Sequence, residues 1–179
     1  KITITAPLTN TWIFINNSKK ITTSTENQTV ELSLSPKMHT IIVARDSYYP
    51  WKKDLQVSSN SNTKLNPLFV SQNPSGNMIP DGDPEYWKII NSIKNNTAPT
   101  KANPKKSKSG DALVWAEDKR IIVKNEEKEI EVITLLTEVK NVSFYKDRSD
   151  AIIFSTSLGV YVIETDKNGG QNFMPIYKG

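Results

Sequence analysis

The chain opens as short apolar runs separated by turn residues. Ile2 and Ile4 alternate with threonines, so they share one face of a first strand that stops at Pro7. Trp12–Ile15 is a second run, and Asn16-Asn17-Ser18 makes its turn. Val30, Leu32 and Leu34 alternate with polar residues. Ser35-Pro36-Lys37 turns the chain into another strand, Met38–Arg45. Leu55 and Val57 mark the next strand, and Leu65, Leu68 and Phe69 the last. Residues 1–70 therefore predict a small antiparallel β-sandwich or sheet.

The pattern then changes. Asn73–Asn77 is a loop, and Asp81–Glu85 is a helix start, with Asp83 as N-cap and Pro84 at the first helical position. Tyr86, Ile89, Ile90 and Ile93 stand at i, i+3, i+4 and i+7 on one face, with Trp87 beside them. A helix over 83–96 follows, too short to hold alone in water and expected to dock on something. Thr97–Gly110 is polar and rich in Lys and Pro, so 71–110 reads as a linker around one helix. Strands return over 111–179, at Ala112–Trp115, Ile121–Val123, Ile130–Leu136, Val142–Tyr145, Ala151–Ser155, Val160–Thr165 and Phe173–Tyr177. The fold class is mostly β, two β-modules with one short helix between them.

The first seventy residues resemble a PEGA domain. Ile2–Pro7 and Trp12–Asn17 fit its first two strands, and Lys20-Ile21-Thr22-Thr23 its third step. Leu34-Ser35-Pro36-Lys37-Met38-His39-Thr40-Ile41-Ile42-Val43 is similar to its central signature, and Ser47-Tyr48 to its Gly-Tyr pair. Thr23, Lys37 and Ser47 depart from the Pro, Gly and Gly of that family, which alters the turn types expected there. The closing segment resembles blades of a WD40-like or TolB-like β-propeller. Asn141–Tyr145, Ile152–Phe154 and Val160–Asp166 carry that likeness, and Leu113–Ala116 with Ile121–Val123 resembles the middle of a preceding blade. Just under two blades are expected. A closed propeller needs at least four, so the chain is either part of a longer protein or keeps open edges that favour association.

Composition narrows the chemistry. The 179 residues include no cysteine, which excludes disulfides, Cys metal sites and Cys nucleophiles. Lys101, Lys105, Lys106 and Lys108 lie in a stretch without acids and account for the whole net charge of +4. A solvated spacer is the plain expectation, with an anionic polymer or lipid surface as the sharper one. A nucleic-acid partner is not expected, because the charge is not interleaved with aromatics on a folded face. No apolar run is long enough to span a bilayer.

No catalytic, cofactor or metal constellation emerges. His39 is the only histidine, no Gly-x-Ser-x-Gly elbow is present, and a structural role beside a turn is expected for it. Asp81-Gly82-Asp83 and Asp166–Gly169 lack the further oxygen ligands of a calcium loop and read as a cap and a turn. Trp12 and Trp115 lie inside apolar strands and are expected in the core. Tyr48, Tyr49 and Trp51 are the candidate exposed aromatic patch, with packing over a sheet edge as the alternative. Asn16, Asn27, Asn95 and Asn141 stand in Asn-x-Ser/Thr sequons.

The resemblances imply a non-enzymatic envelope or cell-surface protein outside the cytoplasm, tethered, if at all, by a membrane segment preceding this sequence. Its partners would be a protein, further copies of itself through sheet edges, or a cell-wall glycan. The alternative is the front part of a larger propeller protein with a sensory or scaffolding role. A hydrolase is the third class, for which the nucleophilic and metal-binding residues are missing.

Overall fold

A computed structural model describes residues 1–95, 97–126 and 128–178, without the side chains of Lys19, Lys20 and Asn95. Asn96, the expected end of the helix, and Gly179, the end of the last segment, lie outside the described residues. Among the described residues the chain is mostly β with one short helix, and it divides into two compact units. One comprises Lys1–Asn73 and Asp166–Met174, the other Pro74–Thr165 and Pro175–Gly179.

The first unit holds two sheets. β1 (Ile2–Ala6) is central in one, between β4 (Gln28–Leu32) and β7 (Thr63–Leu65). The other has the order β3 (Ser18–Thr22), β2 (Trp12–Ile15), β5 (Met38–Ala44), β6 (Trp51–Gln56). Period-two alternation buries one face of each. Ile2, Ile4 and Ala6 are buried on β1, as are Ile13 and Ile15 on β2 and Ile41 and Val43 on β5. β1 and β7 pair in parallel, a departure from the all-antiparallel expectation. The reason is the path of the chain. It alternates between the sheets and returns to the free edge of β1 only after β6, and the intervening strands supply the long crossover a parallel pair needs.

The outer edge of β6 is not open. Asn172 accepts the Lys52 N–H at 2.9 Å and donates to the Lys52 carbonyl at 3.0 Å. The Asp54 N–H donates to the Gly169 carbonyl at 2.6 Å. Lys53, 3% exposed, donates to the Asp166 carbonyl at 3.1 Å and pairs with its carboxylate at 3.6 Å. The segment 166–172 thus covers an edge strand that would otherwise template pairing with another chain.

The second unit holds two four-stranded antiparallel meanders. The first runs β8 (Lys105–Lys106), β9 (Ala112–Glu117), β10 (Arg120–Asn125), β11 (Glu129–Thr134). The second runs β12 (Asn141–Phe144), β13 (Ala151–Thr156), β14 (Gly159–Glu164), β15 (Phe173–Lys178), of which residues 175–178 belong to this unit. β12 lies beside β8 and β9, and one core joins the meanders: Val114, Ile121, Val123 and Val132 from the first, Val142, Phe144, Ile152, Phe154 and Ile163 from the second.

The stretch expected as a free linker is partly folded into this unit. β8 pairs with β9, the Ala116 N–H donates to the Pro99 carbonyl at 2.8 Å, and the Ser107 N–H donates to the Ala112 carbonyl at 2.9 Å. Lys101 pairs with Glu129 at 3.1 Å and Lys108 with Asp147 at 2.6 Å. The basic stretch is therefore half neutralised locally, which argues against a continuous cationic tether.

The helix, α1 (Pro84–Asn95), forms where the sequence predicts it. Asp83 Oδ1 accepts the Glu85 N–H at 2.8 Å, a textual cap becoming a physical one. Its expected docking is absent among the described residues: from Pro84 to Lys94 only Tyr86 and Ile90 are half-buried, and the rest are exposed.

Candidate functional site

The sequence singles out Tyr48, Tyr49 and Trp51, which the chain carries from the end of β5 into β6. Ser47 adopts a positive φ of 67° at the step where glycine is usual in the resembling family. That turn is held from outside: the Gln72 N–H donates to the Ser47 carbonyl at 2.9 Å, and the Tyr49 N–H to the Val70 carbonyl at 3.0 Å. Tyr48 stands edge-on to Phe69 with ring centres 5.6 Å apart, and the Arg45 guanidinium lies 5.3 Å from the Tyr48 ring centre.

Trp51 does not join an exposed patch. It is 2% exposed, opposite Val43 in the β5–β6 pair. Trp51 and Lys53 both point inward on β6, so the strand's register takes the indole into the core. Tyr48 and Tyr49 are half-buried. What remains at the surface is the rim of two tyrosines with a half-buried Arg45, a place for hydrogen bonds and stacking but without a broad aromatic platform.

The other tryptophans also sort themselves. Trp115 is buried as expected, donates from Nε1 to Glu117 at 3.0 Å, and carries the Lys101 ammonium 5.6 Å from its ring. Trp12 is only half-buried, which corrects its assignment to the core: it occupies the face of β2 opposite Ile13 and Ile15. Trp87, read as a flank of the helix stripe, is the most open indole at 56% exposed.

His39 is buried. Its Nε2 lies 3.0 Å from the Ser35 carbonyl and its Nδ1 3.1 Å from the Asn16 amide nitrogen. Those partners assign the proton to Nε2 and leave Nδ1 as acceptor. Asn16 Oδ1 meanwhile accepts the Thr40 N–H at 3.1 Å, so the amide orientation is fixed from both ends. The ring is used as a brace between a turn and a strand. Asp83 is committed to the helix cap, and Asp166 to its own turn, where Oδ1 accepts the Asn168 N–H at 2.9 Å.

Sequence reasoning missed one polar cluster, at the β8–β9 turn. Asp111 Oδ1 accepts the Ser109 hydroxyl at 2.5 Å and the Ser107 hydroxyl at 2.7 Å, and Ser107 Oγ in turn accepts the Ala112 N–H at 3.1 Å. The Ser-x-Ser-x-Asp spacing was the available signal. These hydroxyls, Ser109 foremost and then Ser107, hold the Asp111 carboxyl below its ordinary 3.8. At Asp54 the Thr40 hydroxyl does the same, with Lys52 adding to it. A carboxyl lowered in the folded state contributes stability above its unfolded value, and that contribution is lost as pH falls through the lowered one. Ser109→Ala should therefore lower the urea midpoint near neutral pH and flatten its fall as pH drops below the ordinary carboxylate range.

The chain matches no protein-family profile and no curated protein. The functional reading accordingly rests on the sequence resemblances and on the geometry of the two units.

Proposed function

We propose that this protein is a non-enzymatic envelope or cell-surface component that acts through its β-modules as a structural or binding element. The observation that supports it most is how the two meanders stack. Asp111-Ala112-Leu113-Val114-Trp115 opens β9, and Asp150-Ala151-Ile152-Ile153-Phe154 opens β13, each just after a turn. The turns close alike: the Ser107 N–H reaches the Ala112 carbonyl and the Tyr145 N–H the Ala151 carbonyl, both at 2.9 Å. The two strands are thus equivalent positions of a repeated unit.

Equivalent strands nevertheless turn opposite faces to the shared core. β9 contributes Ala112 and Val114, whereas β13 contributes Ile152 and Phe154, which correspond to Leu113 and Trp115. A two-fold sandwich would present the same face twice. Head-to-tail stacking of this kind is how propeller blades follow one another, and it generates a ring or an array. The reading therefore joins a PEGA-like module to propeller-like blades, arranged to present surfaces to a protein or glycan partner.

One observation favours the second reading, a larger propeller protein with a sensory or scaffolding role. A groove of about 220 Å³ runs along β12 and β13, lined by Asn141, Ser143, Ile153, Ser155 and Val160 together with the core residues Val142 and Phe154, and bordered by Lys105 of β8. Ile153 and Val160 are half-buried there, apolar surface that a further element could cover.

The non-enzymatic part is tested by a panel of chromogenic esters, phosphates and glycosides, combined with alanine scanning of Asp and Glu. Turnover at the rate of buffer is expected. Turnover that one carboxylate substitution abolishes would contradict the proposal.

A further inference from the structure

The helix α1 leaves its apolar side uncovered. Trp87 and Ile93 are 56% and 64% exposed, and Ile89 is exposed beside them. Twelve residues make a helix of about 18 Å, marginal in water without a packing partner. Its charges are distributed by end: Asp81, Asp83 and Glu85 surround the N-terminus, and Lys94 stands in the last turn. Trp87 and Lys94 are related as i and i+7, so they share one flank of the apolar stripe.

We propose that α1 is a self-association surface, and that its occupant is the α1 of a second copy, packed antiparallel about a two-fold axis. Self-complementarity carries this choice. In an antiparallel pair the same flank of both helices meets, so each Lys94 falls beside Trp87 and the acidic cap of the other chain. The helix dipoles oppose, and the acidic start of one helix lies against the basic end of the other. A parallel pair would gather both acidic starts at one end and both basic ends at the other, with the dipoles aligned. Tyr86 then meets Ile93 across the axis, and Ile89 meets Ile90. Lys88, on the opposite face, stays in water. This contact involves no sheet edge and does not depend on the envelope reading. So short an interface falls at the weak end of specific association, with a dissociation constant on the order of 100 µM.

The chain contains no cysteine, so a single introduced thiol reports this pairing without background. Ile90→Cys, close to the axis, should form a disulfide-linked dimer under mild oxidation at least about ten times faster than Lys88→Cys on the outer face. Sedimentation equilibrium of the full chain supplies the second arm. Lys94→Glu should weaken the dimer about ten-fold or more, while Lys88→Glu, the same charge change on the same helix, should leave it within about two-fold. Equal cross-linking at positions 88 and 90 overturns the proposal. So does a chain that stays monomeric at about 1 mM, or a dimer that both charge variants weaken alike. A monomer that binds lipid vesicles through α1 would overturn it in favour of a membrane-surface helix.

Discussion

Gly159→Ala should cost about 3 kcal/mol or more and release β15 from its sheet. Gly159 has a φ of 140°, a conformation that side-chain-bearing residues rarely adopt, and a methyl group there would overlap the Tyr177 carbonyl oxygen. The clash is with backbone, so no rotamer change relieves it. The β14–β15 neighbours would have to separate, and amide exchange across 176–178 should accelerate alongside the fall in urea midpoint. Gly110 is the control. Its φ of 81° is also left-handed, but a Cβ there meets open space. Gly110→Ala should therefore cost only the backbone strain, about 1 kcal/mol.

Phe154→Ala is the second large effect. The ring is almost fully buried within the core joining the two meanders, and it stacks on Tyr161 with ring centres 5.6 Å apart and planes 29° apart. Truncating a buried phenylalanine costs about 3–5 kcal/mol through lost transfer energy and the cavity left behind. Because strands of both meanders line that core, the loss should lower the stability of both together. Exchange protection in β9–β10 and in β13–β14 should fall in parallel, and unfolding should remain one transition. Leu136→Ala, at a residue 91% exposed, should stay within about 0.5 kcal/mol of the parent chain.

Strands with clean alternation were legible in the sequence because one face is buried and one is not: β1, β2, β5 and β12 to β14 lie close to where the pattern puts them. β3 was missed. Ser18–Thr22 holds two lysines and a single large apolar residue, and as an edge strand it pairs on one side only. β8 is defined by its pairing to β9, which no local pattern encodes. Helix α1 was legible down to its cap, whereas whether its apolar face is covered depends on tertiary contacts that periodicity does not report.

The aromatic patch misled for a related reason. Tyr48, Tyr49 and Pro50 look like surface, and Lys53 masks the alternation that carries Trp51 inward. Lys53 can be buried only because Asp166 supplies a carbonyl and a carboxylate from far along the chain. The covered β6 edge was invisible on the same ground, since the Asn172–Lys52 and Gly169–Asp54 contacts join residues distant in sequence. Those long-range contacts also narrow the association reading, because that edge is already occupied.

Among the described residues no helix is long and apolar enough to cross a membrane, which leaves the location of the protein to be measured directly. The most direct measurement treats intact cells of the source organism with an external protease and follows this chain by immunoblot. The cytoplasmic membrane is kept sealed, and a cytosolic enzyme serves as the internal standard. The account predicts digestion of this chain while the standard stays intact. A chain that survives with the standard, and is cut only after the cells are lysed, would contradict it.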